Sequence, residues 1–226
     1  MPARLSALRW HPGERCGVAT VAANSQDRCD LRSTLGKVNE RTANSVARVV
    51  KSPLFPFDSD LRVKPLGSLL PTEIEREGEG DRPCQSCGDE GRTLWSNERW
   101  KVTALHPTAN PVGLFLETIG HVDFEHFNDE LASELGLLTV RLEAAIRSLD
   151  SVGRVHIHRW GDGSSHFHFW FQGRPARQLE LYGWGNVLWS QILDPLPSET
   201  VDANHALVIG HLHTHFGGTI AEAPIQ

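Results

Sequence analysis

His166-Phe167-His168-Phe169-Trp170-Phe171, preceded by Gly161-Asp162-Gly163-Ser164-Ser165, is the stretch on which the reading of the whole chain turns. Side chains alternate between faces along a strand, so Phe167, Phe169 and Phe171 share one face while His166, His168 and Trp170 share the other. Three Phe on one side make a core, and two His with a Trp on the other make a site. The Gly-rich residues before them form a loop. Ahead of that loop, 154–160 alternates Val155 and Ile157 with His156 and His158, as a partner strand would. His156 and His158 then read as polar residues of an exposed sheet face.

Further upstream, 99–105 and 112–119 read as two more strands, joined by a turn through Pro107 and Pro111 in which His106 is structural. Asn128 caps a helix over 128–149, whose Leu131, Leu135, Leu138, Leu142, Ile146 and Leu149 recur at spacings of three and four. The expected architecture is α+β: an antiparallel sheet packed against that long helix, with N- and C-terminal extensions. Residues 1–75 are expected to form an N-terminal extension or small lobe, and 76–226 the main domain. The acidic run 73–81 reads as the boundary or as a surface loop. Within the first part, 42–51 could form a short helix or strand and 61–66 a short strand, between breaks at Pro53, Pro56 and Pro65. Near the C-terminus, His211-Leu212-His213-Thr214-His215 spells an alternating His motif more literally than 166–170 does. Val201, Val208, Leu212 and Phe216 nevertheless fit one face of a helix that stops at Gly217, which would put His211 and His215 on a common side.

A chain of 226 residues with 39% hydrophobic and 22% charged side chains can bury one substantial core. Its net charge of -6, from 22 basic against 28 acidic residues, argues against a duplex nucleic-acid binder and leaves small anionic ligands open. No apolar run reaches the roughly 18 residues of a membrane span. Residues 1–22 carry Arg4 and Arg9 with no apolar stretch behind them, so a cytoplasmic location is expected.

Four Cys stand against twelve His. Cys16 and Cys29 are isolated, but Cys84-Gln85-Ser86-Cys87-Gly88 reads as a metal knuckle in which Gly88 turns the chain back. A zinc site usually takes four Cys and His ligands, so two more must come from elsewhere. Position favours His121, at the end of the 112–119 strand, with His126 as its alternative, and His166 at the start of the Phe-alternating strand. Two thiolates would neutralise the dication, and Cys2His2 ligation favours zinc.

The order of strand, strand ending in Gly120-His121-Val122, helix from Asn128, strand, Gly-rich loop and His-x-His strand resembles the histidine triad superfamily. It is most similar to the zinc-carrying branch related to galactose-1-phosphate uridylyltransferase, and the residues from Gly161 through Trp170 to Arg174-Pro175 look like a bacterial subgroup. The resemblance covers about 83–174. It implies a HIT-like fold with zinc on Cys84, Cys87, His121 and His166. It also implies that His168 is the nucleophile of a hydrolase or nucleotidyltransferase, attacking the α-phosphate of a nucleotide conjugate and forming a covalent nucleotidyl-histidine. Gly163 and the hydroxyls of Ser164 and Ser165 would face phosphate oxygens, and Trp170 and Arg174 would contact the substrate, a nucleotide or small phosphorylated metabolite. Members of the family commonly pair, so a homodimer is implied as well. One position departs: the hydrolases carry a third His, and the transferases a Gln, where this chain has Trp170. Indole donates one hydrogen bond and cannot shuttle a proton. The alternative is therefore a catalytically altered HIT-like zinc protein that binds a nucleotide or small metabolite without nucleotidyl transfer.

Overall fold

Alternation along the central strands separates an apolar face, which meets a helix, from a polar face that holds the titratable side chains. The computed structural model describes residues 48–221 except 59–60, 62–63, 65–66 and 89–91. Cys16, Cys29 and most of 61–66 lie outside the described residues. Six strands, β1 (Thr93–Ser96), β2 (Trp100–Ala104), β3 (Val112–Thr118), β4 (Val152–His158), β5 (His168–Pro175) and β6 (Thr219–Ile220), form one antiparallel sheet. Their order is β4-β5-β3-β2-β1-β6. The described α-helices between residues 85 and 216 are α1 (Gln85–Gly88), α2 (Asp129–Arg147), α3 (Gly185–Trp189) and α4 (Ser198–Phe216). None of the described helices is long and apolar enough to cross a membrane.

Register explains the core. Leu114 lies opposite Ala104 and Phe171, and Leu116 opposite Val102 and Phe169, so these residues share one face. That face meets Leu135, Leu138, Leu142 and Ile146 of α2, all buried in one cluster with Phe167 and Trp100. Burying each such side chain stabilises the fold by about 1.5–3 kcal/mol. The expected helix is thus present, and its start is fixed by the Asn128 side chain, which accepts from the amide of Leu131 at 2.9 Å. The C-terminal extension packs onto the sheet and the long helix. β6 pairs with β1, and α4 packs on α2 with Val201, Val208, Ile209 and Leu212 buried. Trp95 locks the chain end by donating from Nε1 to the carbonyl of Gly217 at 2.8 Å. Gly218 has φ +82°, and a Cβ there would stand 2.5 Å from the Trp95 ring, so only glycine fits.

Three further expectations are refined. The His-bearing strand begins at His168 and runs to Pro175, which leaves His166 in the approach to it. Gly88 ends the single helical turn of α1 and is not among the glycines with positive φ, so the knuckle turns by helical geometry and not by a left-handed residue. The run 73–81 is tied into the domain: the amide of Glu77 donates to the Gly163 carbonyl and the amide of Ser165 to the Glu77 carbonyl, both at 3.0 Å. Just upstream, Trp189 of α3 donates from its indole to the Leu54 carbonyl at 3.2 Å.

Glu134 of α2 joins helix to sheet. It accepts from Trp100 Nε1 at 2.8 Å and from Arg99 Nε at 3.0 Å. Burial alone would raise its pKa, but the hydrogen bonds from Trp100 and Arg99 outweigh burial and hold it below the ordinary carboxylate value. A carboxylate whose folded pKa is depressed adds stability above its unfolded pKa and loses it as pH falls through the folded one. Glu134→Gln is expected to cost about 1.5–3 kcal/mol at neutral pH, the range for hydrogen bonds to a charged group. In urea titrations across pH, that deficit should shrink as pH falls below the unfolded value of about 4.3 and close only once pH is below the lower folded value as well.

Candidate functional site

Where β3 ends and β5 begins, four side chains converge from three separate segments. Cys84 and Cys87 come from α1 and its leading residue, His121 from just beyond β3, and His166 from the approach to β5. Cys84 Sγ lies 3.5 Å from His166 Nδ1, and Cys87 Sγ lies 3.4 Å from the Nδ1 atoms of both His166 and His121. All four atoms fall within 4.8 Å of one another.

Backbone groups decide which nitrogen of each ring points inward. His166 Nε2 is 2.8 Å from the Thr118 carbonyl, which can only accept, so Nε2 carries the proton and Nδ1 presents a lone pair. Ser165 Oγ donates to the Glu77 carbonyl at 3.0 Å and therefore accepts from His121 Nε2 at 3.2 Å, which fixes the same tautomer in His121. Burial also holds the pKa of His166 below its ordinary value and keeps the ring neutral. A metal-ligating His commonly has its second nitrogen held by a carbonyl or hydroxyl in this way. Zinc–sulfur bonds of about 2.3 Å and zinc–nitrogen bonds of about 2.0 Å at tetrahedral angles put sulfur and nitrogen ligands about 3.5 Å apart. The observed separations fit that geometry, and a divalent ion would offset the cost of placing two thiolates together, where burial and the neighbouring Cys84 otherwise raise the Cys87 thiol. His126 lies on an exposed turn and is outside the cluster.

The polar sheet face anchors the knuckle. Ser86, between the two Cys, donates from its hydroxyl to Glu117 at 2.6 Å, and its carbonyl accepts from Lys101 Nζ at 2.6 Å. Glu117 also accepts from Thr103 at 2.8 Å. Behind His121, Asp123 binds Arg76 at 2.7 Å and Arg159 at 2.9 Å, and Arg76 reaches the Gly161 carbonyl at 3.2 Å. These residues escaped the sequence reading. The signal for Lys101 and Glu117 was present, because each interrupts an apolar strand at the position facing away from the core.

His168 opens β5 directly beside this cluster. Its Nδ1–H donates to the His166 carbonyl at 3.0 Å, which selects the tautomer with the lone pair at Nε2 for the neutral ring, and it makes no other hydrogen bond to the described residues. The ring lines a cavity of about 270 Å³ together with Ser164, Gly163, Glu117, Phe115 and Trp170. Ser164 Oγ accepts from the His166 amide at 3.1 Å and keeps its own proton to give. Ser165 does not line the cavity, its hydroxyl being committed to Glu77 and His121. Trp170 stacks on His158 at 5.6 Å and 13° and meets Phe115 edge-on at 4.5 Å, with its buried Nε1 unpartnered.

Arg174 is elsewhere. Six residues along β5, about 20 Å at strand rise, its buried guanidinium donates to the Pro175 carbonyl at 2.7 Å and lies 4.2 Å from the Tyr182 ring centroid. It borders a separate cavity of about 380 Å³ with Arg154, His156 and Arg177. His156 and His158 are half-buried, not surface residues, and burial lowers the pKa of both. His211 and His215 do share a side of α4, ring centroids 4.4 Å apart, and neither joins the Cys84 cluster.

No family model matches the sequence, and no curated protein matches it either. Among solved structures, the fold is similar to a hypothetical histidine triad nucleotide-binding protein from Sulfolobus tokodaii, at 11% identity and a TM-score of 0.44 over 62% of this chain and 100% of that one. It is also similar to a zinc-bound histidine triad family protein from Mycobacterium smegmatis, at 16% identity and a TM-score of 0.42 over 57% and 92% of the two chains. A uridylyltransferase mutant is matched at 18% identity and a TM-score of 0.42, over 59% of this chain and 48% of that one.

Gly78 tests the geometry around His121. Its φ is +83°, and a Cβ would lie 2.4 Å from His121 Cε1 and 2.8 Å from Ser165 Oγ. Gly78→Ala is expected to push the imidazole out of line and cost about 2 kcal/mol or more. Gly163→Ala, with nothing within 4 Å of the new methyl, should leave the melting temperature within a degree or so of wild type.

Proposed function

We propose that the chain is a HIT-like nucleotide-processing protein in which Cys84, Cys87, His121 and His166 hold zinc and His168 attacks the α-phosphorus of a nucleotide conjugate. The observation that carries this reading is the orientation of His168. Its Nδ1 is turned to the His166 carbonyl, so Nε2 is the nitrogen left to act, on a side chain lining a cavity.

With four protein ligands a bound ion would have no open position, so it would serve to tie α1 to the ends of β3 and β5. The chemistry falls to His168. Nε2 forms a bond to phosphorus as the bond to the leaving oxygen breaks, and the leaving group departs with that electron pair and gains a proton from solvent. Attack by water on the resulting phosphoramidate restores His168 and releases a nucleoside monophosphate. Attack by an acceptor phosphate gives transfer instead. Of the two serines, Ser164 is the one with a hydroxyl proton to offer a phosphate oxygen, because that of Ser165 is spent on Glu77. Ser165 takes the role of a positioning residue for His121.

Trp170 favours a second reading. Clamped between His158 and Phe115, its indole supplies no acid or base to a leaving group, as befits a protein that binds the same ligands without transferring them.

Purified protein is expected to carry one thiolate-bound zinc per chain, lost in Cys84→Ser. Nucleoside diphosphate conjugates labelled at the α-phosphorus should leave an acid-labile label on the wild type. His168→Ala should abolish the label and lower turnover by about a thousandfold or more, as loss of a nucleophile does elsewhere. Undiminished turnover in His168→Ala would exclude the nucleophile, and tight binding with no label in the wild type would select the binding protein.

A further inference from the structure

Far from the cysteine knuckle, α4 breaks its own apolar pattern. Val201, His205, Val208, Ile209 and Leu212 are its buried residues, a row at helical spacing in which every member but one is aliphatic. His205 is 2% exposed, and neither ring nitrogen makes a hydrogen bond. The backbone of Gly113 faces the ring without the geometry of a hydrogen bond. Leaving a buried polar group unpaired is costly, and an apolar residue would serve packing better at this position. Burial, and then the neighbouring His106, push its pKa down to about 4, so the ring is neutral near pH 7 with a lone pair available.

Two further ligand types stand beside it. Asp202 precedes His205 by one helical turn on the same side of α4. His106, in the β2–β3 turn, places Nε2 3.1 Å from Asp202 Oδ1 and its ring centroid 5.2 Å from that of His205. One ligand atom from each of the three lies within 4.8 Å of the others. His106 and Asp202 are 32% and 64% exposed, so an ion could enter from solvent and keep water in its remaining positions.

We propose that His106, Asp202 and His205 form a second metal site, one that binds a divalent first-row transition ion through two imidazoles and one carboxylate with solvent completing the shell. Two His and one carboxylate with open positions suit ferrous iron or zinc and are too rich in nitrogen for calcium or magnesium. The unpartnered buried His205 is what separates this cluster from an ordinary surface His–Asp pair, which needs no second imidazole. The site also bridges two elements, since His106 belongs to the β2–β3 turn and the other two ligands to α4. The Asn204 side chain already fastens that helix to the Pro111 carbonyl at 2.9 Å. The inference stands independently of the role given to His168.

The test is a titration of full-length, chelator-stripped protein with Co(II) and then Zn(II), followed by absorbance and equilibrium dialysis. The wild type should take two equivalents, one with thiolate-to-cobalt charge transfer and one without. His106→Ala and Asp202→Asn, both at exposed positions, should each weaken the second equivalent by about a hundredfold or more, since even groups one layer outside a metal cost ten- to a hundredfold. They should leave the thiolate band unchanged. Cys84→Ser should do the reverse. His211→Ala controls for the exposed His pair on the same helix and should retain both equivalents. A wild type that takes only the thiolate-bound equivalent overturns the proposal. So does a second equivalent that survives His106→Ala or disappears in His211→Ala.

Discussion

Two backbone carbonyls, those of Thr118 and Glu77, determine what the centre of this molecule can be. Each fixes an imidazole from behind, the first directly and the second through the Ser165 hydroxyl. Both rings are thereby set with a bare Nδ1 aimed at the two thiols. The constraint reaches in both directions. It requires β3 to end where it does, and it requires the 76–78 segment to run alongside the Gly-rich loop. The same approach to β5 that delivers His166 delivers a carbonyl to orient His168, so the metal-type cluster and the His168 ring are set by one stretch of main chain.

Charge is arranged around this constraint in two layers. Lys101 and Glu117 are nearly buried and hold the knuckle through Ser86. Arg76, Asp123 and Arg159 hold the loop and the segment after β3. Truncating one partner of such a group leaves a buried charge exposed to low dielectric, which costs more than the pair itself contributes. These networks therefore specify the positions of loops more than they add to total stability, which comes from the apolar face against α2.

Much of this was legible in the sequence because periodicity is a strong signal. The α2 stripe, the alternation in β2 and β3 and the Cys-x-x-Cys each state their geometry locally, and the expectation that Cys84, Cys87, His121 and His166 come together followed from residue types, element ends and the family resemblance. What was not legible depends on pairing between distant segments. Nothing near Glu77 indicates that its carbonyl receives Ser165, and nothing near Ser165 shows that its hydroxyl is committed. Arg174 looks close to His168 in the sequence, but strand rise carries it to another cavity. β6 is too short for any pattern, and His205 was masked by reading Val201, Val208, Leu212 and Phe216 as a purely apolar face.

The separation of the knuckle from its partners along the chain has an entropic side. Cys84 meets His166 across 82 residues and Cys87 meets His121 across 34, whereas the β2–β3 and β4–β5 pairings close over far shorter spans. Long loops cost more entropy to close. The middle of the sheet bears a similar cost, because β3 pairs with β5 across 51 to 61 residues. The junction therefore joins three segments far apart in the chain, so that the knuckle, the end of β3 and the approach to β5 are held by one set of contacts.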